Sequence, residues 1–196
     1  MNKKQKQLID TYFRKREIAV GVMDPRDKEF EVYENMFQIK QGKKPIIRSM
    51  YGNSEKIINL IMDPSIINKQ LADSLPSNDI ITILIYQPSL VDKLSFIFMG
   101  GYDFSYILKY QPSLVDKLPI EKMDGVDIFN VLKHHPHLLN YFDIEKMSGT
   151  IVSELLRYQP SLVDKLPIEK MDVNNIGVVL DNHPQLRPKF EERGLI

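Results

Sequence analysis

Apolar residues along this chain keep two periods at once. Within short stretches they share one helical face: Phe104, Ile107 and Leu108 stand at i, i+3 and i+4, the spacing of an amphipathic helix. Over longer distances the pattern returns every 24 residues. Leu84, Leu108, Leu132, Leu156 and Leu180 form one column, and Leu90, Leu114, Leu138, Leu162 and Leu186 form another. Met99, Met123, Met147 and Met171 form a third, with Leu195 in phase. Pro64, Pro88, Pro112, Pro136, Pro160 and Pro184 keep the same interval without a slip. The segment QPSLVDKL occurs three times, beginning at Gln87, Gln111 and Gln159. A fixed period of this length marks supersecondary units that stack on one another.

Each unit predicts two short helices and a one-turn helical link. The first helix covers 103–111, with Asp79, Asp103 and Asp127 placed just before the apolar run as caps for the free N–H groups. Proline then stops it, since proline has no N–H and crowds the preceding turn. The same proline can occupy the first position of a second helix, which carries Leu114, Val115 and Leu118. Pro119 and Pro167 break the chain again, and IEKM leads into the next unit. Neither helix reaches the ~12 residues at which an isolated helix becomes marginally stable. Each unit therefore has to bury its apolar columns against its neighbours. The expected fold is all-α, an α-solenoid of about five and a half units over residues 53–196. The column Val91, Val115, Leu139, Val163 becomes Arg187, followed by Pro188, as expected of a capping unit. The first unit, from Ser54 to Leu75, is degenerate and keeps Leu60 and Pro64.

Residues 1–52 stand outside the repeat and predict a basic helical segment. Leu8, Ile9, Tyr12 and Phe13 lie at helical spacing between Lys4 and Ile18, and Asp24-Pro25 marks a turn. A second helix is expected from Phe30 to Ile39, stopped by Gly42 and Pro45. Weak alternation from Phe30 to Tyr33 leaves a short strand pair open.

The stretches ILKYQPSLVDKLPIEKMDG from Ile107 and LLRYQPSLVDKLPIEKMDV from Leu155 resemble tandem helical repeats of uncharacterised bacterial and bacteriophage proteins. That pattern has a Leu-Leu pair, then Gln-Pro, a Leu, a charged residue and a second Leu-rich turn. The resemblance covers about residues 55–190. It implies a helical stack of bacterial or phage origin and no particular activity. The departure is in columns that hold Ile, Val or Lys here and often aromatics or cysteines there. A fainter similarity links the unit to mitochondrial termination-factor repeats, which also end a helix with Leu and Pro but are longer.

Charge alters this picture. The whole chain is neutral, with 26 Lys/Arg and 26 Asp/Glu. Residues 1–50 carry twelve Lys/Arg against seven Asp/Glu, a net of +5, and the remainder carries −5. A basic head on an acidic body predicts different tasks for the two parts. There is no cysteine, so disulfides, thiolate metal sites and cysteine nucleophiles are excluded. No apolar run approaches the ~18 residues of a membrane span, and the basic MNKKQK start is followed by no apolar stretch, so a secretory signal is not expected. A cytoplasmic or virion location is expected.

Candidate chemistry is sparse. His134, His135 and His137 form HHPH, but they occupy the columns of Tyr110, Gln111 and Ser113, so variation of the repeat accounts for them better than a metal site. Gly100-Gly101 stands alone and reads as a link between units, and nucleotide-binding motifs are absent. No catalytic residue, metal or cofactor is assigned. The more informative feature is a ladder. Lys109, Lys133 and Arg157 share one column, and Tyr86, Tyr110, His134 and Tyr158 share the next. Gln87, Gln111, His135, Gln159 and His183 follow. Such a comb suits a nucleic-acid backbone and its bases. The competing reading has the aromatics filling the grooves between helices and the amides bonding carbonyls. The acidic balance of the repeats favours the second reading. The alternating Asp92, Asp116, Asp164 and Lys93, Lys117, Lys165 columns, with Glu121, Glu145, Glu169 beside Lys122, Lys146, Lys170, read as a solvated face with ion pairs between units. The expected role is a non-enzymatic scaffold or protein-binding module, with nucleic-acid binding as the alternative. The partner-contacting candidates are Lys4, Lys6, Arg14, Lys15 and Arg16 in the basic head, and Lys109, Lys133, Arg157, Tyr110, His134 and Tyr158 in the ladder.

Overall fold

The computed structural model describes Asn35, Gln38, Ile39, residues 41–43 and residues 54–196. The chain divides into two compact units, Met1–Met62 and Asp63–Ile196. Within the first, Asn35, Gln38 and Ile39 are helical and Gly42 has φ 68. Its N–H donates to the Ile39 carbonyl at 2.9 Å, and that of Lys43 to Gln38 at 3.0 Å. A glycine in left-handed backbone returns the chain onto the last helical carbonyls, so the helix expected to stop at Gly42 does so. Helix α1, Ser54–Met62, also belongs to this unit and buries Ile57, Leu60 and Ile61. The helix expected over Lys4–Ile18, and the strand pair at Phe30–Tyr33, lie outside the described residues.

The second unit holds α2 (Lys69–Ser74), α3 (Ser77–Tyr86), α4 (Gly101–Tyr110), α5 (Gly125–Leu132), α6 (Gly149–Tyr158), α7 (Val173–Asn182) and α8 (Arg187–Glu192). No strand occurs among the described residues, and the fold is all-α. Helices α3 to α7 each start 24 residues after the one before, and each packs on the next. Their apolar face is the one the periodicity marks. Phe104, Ile107 and Leu108 are fully buried, as are Val131 and Leu132, and Val152, Leu155 and Leu156. The Leu90 and Met99 columns are buried as far as Leu186 and Met171, while Leu180 and Leu195 at the C-terminal end are half-exposed. No helix among the described residues is long and apolar enough to cross a membrane.

Two local expectations change. The aspartates before the apolar run are not the N-caps. Those are Gly100, Asp124, Ser148 and Asp172, and Asp124 accepts from the N–H groups of Val126 and Asp127 at 2.8 and 2.9 Å. Asp103 and Asp127 stand three residues further on and reach back to the cap N–H of Gly100 and Asp124, at 2.9 and 3.1 Å. That is the return half of a capping box, with Asp in the place of the usual Glu. The helices start two residues earlier than expected because the cap lies on the link turn.

The second helix of each unit is 3₁₀ rather than α: Pro88–Lys93, Pro112–Leu114, Pro136–Tyr141, Pro160–Lys165 and Pro184–Leu186. Proline does open it. But extended backbone returns at Leu94, Phe142 and Leu166 after six residues. So short a segment gains more from i→i+3 bonds, which close in fewer residues, than from α turns. The links Ile120–Lys122, Ile144–Lys146 and Ile168–Lys170 are single 3₁₀ turns. Asp143 replaces the proline of its neighbours there and caps its turn through the Glu145 N–H, at 3.2 Å.

Glycine sets how closely units approach. Gly101, Gly125 and Gly149 open α4, α5 and α6, each against the link turn of the following unit. A Cβ at Gly125 would lie 2.5 Å from the Lys146 carbonyl oxygen and 2.9 Å from Met147 Cα. Gly177, in the middle of α7, has open space around it. Replacing Gly177 by Ala is expected to stabilise the fold by about 0.5–1 kcal/mol through helix propensity. Replacing Gly149 by Ala is expected to destabilise it by about 1–3 kcal/mol through backbone overlap. Urea unfolding of both variants reads the opposite signs. Leu132→Ala, at a fully buried site, is expected to cost about 2–5 kcal/mol in the same measurement; a loss under about 0.5 kcal/mol would be incompatible with this packing.

Candidate functional site

A helix cut off by proline leaves its last carbonyls without intrahelical donors. In this chain the next unit supplies a donor for one of them. Gln111, at the C-cap of α4, donates from Nε2 to the carbonyl of Ile85, in the last turn of α3, at 2.6 Å. Gln159 does the same for Lys133 at 2.9 Å. His135 and His183 occupy the same column, their Nε2 atoms 2.8 and 3.0 Å from the carbonyls of Lys109 and Arg157. A carbonyl only accepts, so Nε2 carries the proton in both imidazoles. Glutamine and histidine alternate here because each offers one N–H at comparable reach. The HHPH segment therefore contains one structural donor, His135. The rings of His134 and His137 lie 6.5 and 5.7 Å from its ring. No group of three or more His, Asp or Glu placed to hold a metal occurs among the described residues.

A second fastening uses lysine. Lys146 Nζ donates to the carbonyls of Glu121 and Met123 at 2.8 and 3.0 Å, both on the previous link turn. Lys122 reaches the carbonyls of Phe96 and Met99 at 3.4 and 3.2 Å. Lys170 takes the carbonyl of Glu145 at 2.6 Å and its carboxylate at 2.8 Å. A cation at the carbonyl end of a short helical turn meets the negative end of its dipole. Ion pairs also cross between units: Lys117 with Asp92, Lys189 with Asp164 and Arg193 with Glu169, at 2.5, 2.9 and 2.7 Å. All are exposed, so solvent screens them and each adds little to stability.

The ladder residues divide by position. Tyr110 is buried, in edge contact with Tyr106 at 5.4 Å, and Lys109 Nζ lies 5.3 Å from its ring centre. Lys133 Nζ sits 3.8 Å from the ring centre of Tyr158 in the next unit and 5.8 Å from Phe129. The Phe129 and Tyr158 rings meet at 6.2 Å. Lys133, Phe129 and Tyr158 thus form one cation–aromatic group across two units, with 47% of Tyr158 exposed. Arg157 pairs with Glu154 on its own helix at 2.7 Å, and His134 is exposed. The structure joins Lys133 to Tyr158 but does not bring all of the ladder residues into one cluster. Lys4, Lys6, Arg14, Lys15 and Arg16 lie outside the described residues.

One exposed group was not expected from the sequence. Ile97, Phe98 and Tyr102 are 72%, 82% and 67% exposed. Ile97 and Phe98 occupy the columns that hold Glu121 and Lys122 in the next unit, and Tyr102 the column of Val126. The turn Phe96–Met99 is the place where the Glu-Lys pair is missing. The signal was present in the repeat register, as two apolar residues in charged columns. With this geometry in view, the chain was compared with known proteins: no family model, no curated protein and no solved structure matches it.

Replacing Gln111 by Leu leaves the Ile85 carbonyl buried without its donor and is expected to cost about 1–3 kcal/mol. His135→Gln exchanges one donor for another and should stay within about 0.5 kcal/mol. Denaturant unfolding distinguishes the two. A further test is electrostatic. Burial pushes the Asp127 carboxyl above the ordinary aspartate range; its bond from the Asp124 N–H opposes this, and the Asp124 and Asp103 charges add to it. The folded state therefore holds this proton more tightly than the unfolded chain. Its contribution to stability is present at low pH and is lost as pH rises from about 3.9 through the raised folded value. Asp127→Asn removes that titration. The stability of this variant relative to the parent should rise with pH across the window and then level off, as followed by unfolding at fixed pH steps.

Proposed function

We propose that residues 63–196 act as an α-solenoid that presents a surface to a protein partner and carries out no reaction of its own. Support for the solenoid comes from the recurrence of one set of fastenings at one spacing. The Gln/His donor, the link-turn lysine and the opening glycine each reappear at 24-residue intervals and bind one unit to the next. Side chains used in this way hold the stack together and leave recognition to positions where the repeat is broken. The observation that carries the protein-binding reading is the exposure of Ile97 and Phe98 on one turn and of Tyr102 at the start of the next helix, since exposed large apolar groups close together in the chain mark contact surfaces. The resemblance to bacterial and bacteriophage repeats makes a phage structural or host-directed factor the form of that role we favour.

A second reading, nucleic-acid binding, draws on the Lys133–Tyr158 pair and on the basic residues of the first fifty. The net charge of −5 over residues 51–196 weighs against it.

One comparison separates the two. The double substitution Ile97→Glu with Phe98→Lys restores the charged pair of the neighbouring units and so preserves the fold. A protein retained from the native source by the parent chain and lost with this variant supports the protein-binding reading; retention by both removes its basis. The second reading requires binding of DNA or RNA that weakens with salt and disappears when Lys109, Lys133 and Arg157 are replaced by Ala. Measurable turnover would overturn the non-enzymatic reading.

A further inference from the structure

The opening position of each helix behaves differently at the C-terminal end. Gly101, Gly125 and Gly149 have backbone of the following unit where a side chain would stand. A Cβ at Gly101 would lie 2.7 Å from both the Lys122 carbonyl oxygen and Met123 Cα, and one at Gly149 would lie 2.9 Å from Met171 Cα. Backbone atoms cannot rotate away, so a 3₁₀ link turn seats itself only on glycine. The next member of the column is Val173, which is 76% exposed. Ser77, which opens α3, offers the contrast. Its side chain is accommodated and its hydroxyl donates to the Phe98 carbonyl at 3.4 Å, but residues 96–99 there do not form the 3₁₀ turn seen at Ile120–Lys122, Ile144–Lys146 and Ile168–Lys170.

After Pro184 the chain leaves the repeat path in a second, independent way. Arg187–Glu192 is an α-helix with Phe190 fully buried. It ends at Gly194, φ 67, whose N–H returns to Glu191 at 2.9 Å while that of Leu195 returns to Phe190 at 3.0 Å. Gly194 stands in the column of Lys122, Lys146 and Lys170, so no lysine is available there. Arg193 takes over, bonding the Glu169 carboxylate at 2.7 Å and the Asp164 carbonyl at 3.3 Å.

Resting on the solenoid reading above, we propose that Val173 is a stop: its side chain bars a further 24-residue unit, from this chain or a second copy, from seating on α7. Partners then meet the array on its sides. The isopropyl group occupies the volume that the incoming link carbonyl would take.

The test duplicates residues 160–183 after His183, so that Val173 faces an inserted link turn. Asn174→Gln in the inserted copy, and Thr150→Ser in the insert of the control below, both at exposed positions of the helix followed, make the peptides of that helix distinguishable, and the same chain is prepared with Val173→Gly. Amide hydrogen exchange is followed in the inserted segment of both. The inserted helix should exchange close to the unfolded rate behind Val173 and at least ~10-fold more slowly in the Val173→Gly chain. A control duplicates residues 136–159 after Gln159, where every contact has its glycine, and its insert should be protected. Equal exchange in the two Val173 chains beside a protected control overturns the stop alone. An unprotected control overturns the array on which the proposal rests.

Discussion

The structure depends on how the carbonyls at the end of a short, proline-terminated helix are satisfied. Helices of eight to ten residues end at a fixed proline, and each leaves acceptors that water would otherwise have to reach. The next unit places an N–H donor on one of them, 26 residues further along the chain. Because the donor stands just before the proline that follows its own helix, α4, α5 and α6 each make one such bond to the preceding helix and receive one from the next. Each of these three helices is thus completed by its successor and completes its predecessor. No buried side-chain nitrogen or oxygen is left without a partner among the described residues.

The other recurring features work on the same boundary. Lysine from the link turn covers the carbonyls of the preceding link, and glycine lets the two backbones approach. Apolar columns then close between helices at a spacing that these polar contacts fix. The glutamine, lysine and glycine columns thus belong to the architecture, and their regularity carries little information about a ligand. Departures carry more. Ile97 and Phe98 stand where charge is the rule, and Val173 stands where glycine is the rule. The Lys133–Phe129–Tyr158 group is a further departure, since Phe129 occupies a column held by Ser105 and Ser153.

Much of the fold was legible in the residues. The all-α class, the buried face of α4 and the one-turn links follow from periodicity. Apolar side chains at i, i+3 and i+4 can be buried together only on a helix. The Leu84 and Met99 columns are buried as the periodicity expects except at Leu180 and Leu195, which are half-exposed. Spacing alone misplaces the caps. Asp103 and Asp127 look like caps when only the apolar run is considered, but the helix starts where the link turn frees the backbone. Whether Pro112 opens an α or a 3₁₀ segment was equally hidden, because the answer depends on how soon extended backbone must return to reach the next layer.

By itself the sequence determined the repeat, its phase and the residues that face inward, because these follow from spacing along one chain. Only the tertiary structure decided what each outward column does. Gln111 and His135 became equivalent when both were seen to meet a carbonyl of the preceding helix, and Gly149 became necessary when the Lys170–Met171 backbone was seen against it. Those partners lie about one unit away in sequence, and the distance between them is set by packing, which no single stretch of residues encodes.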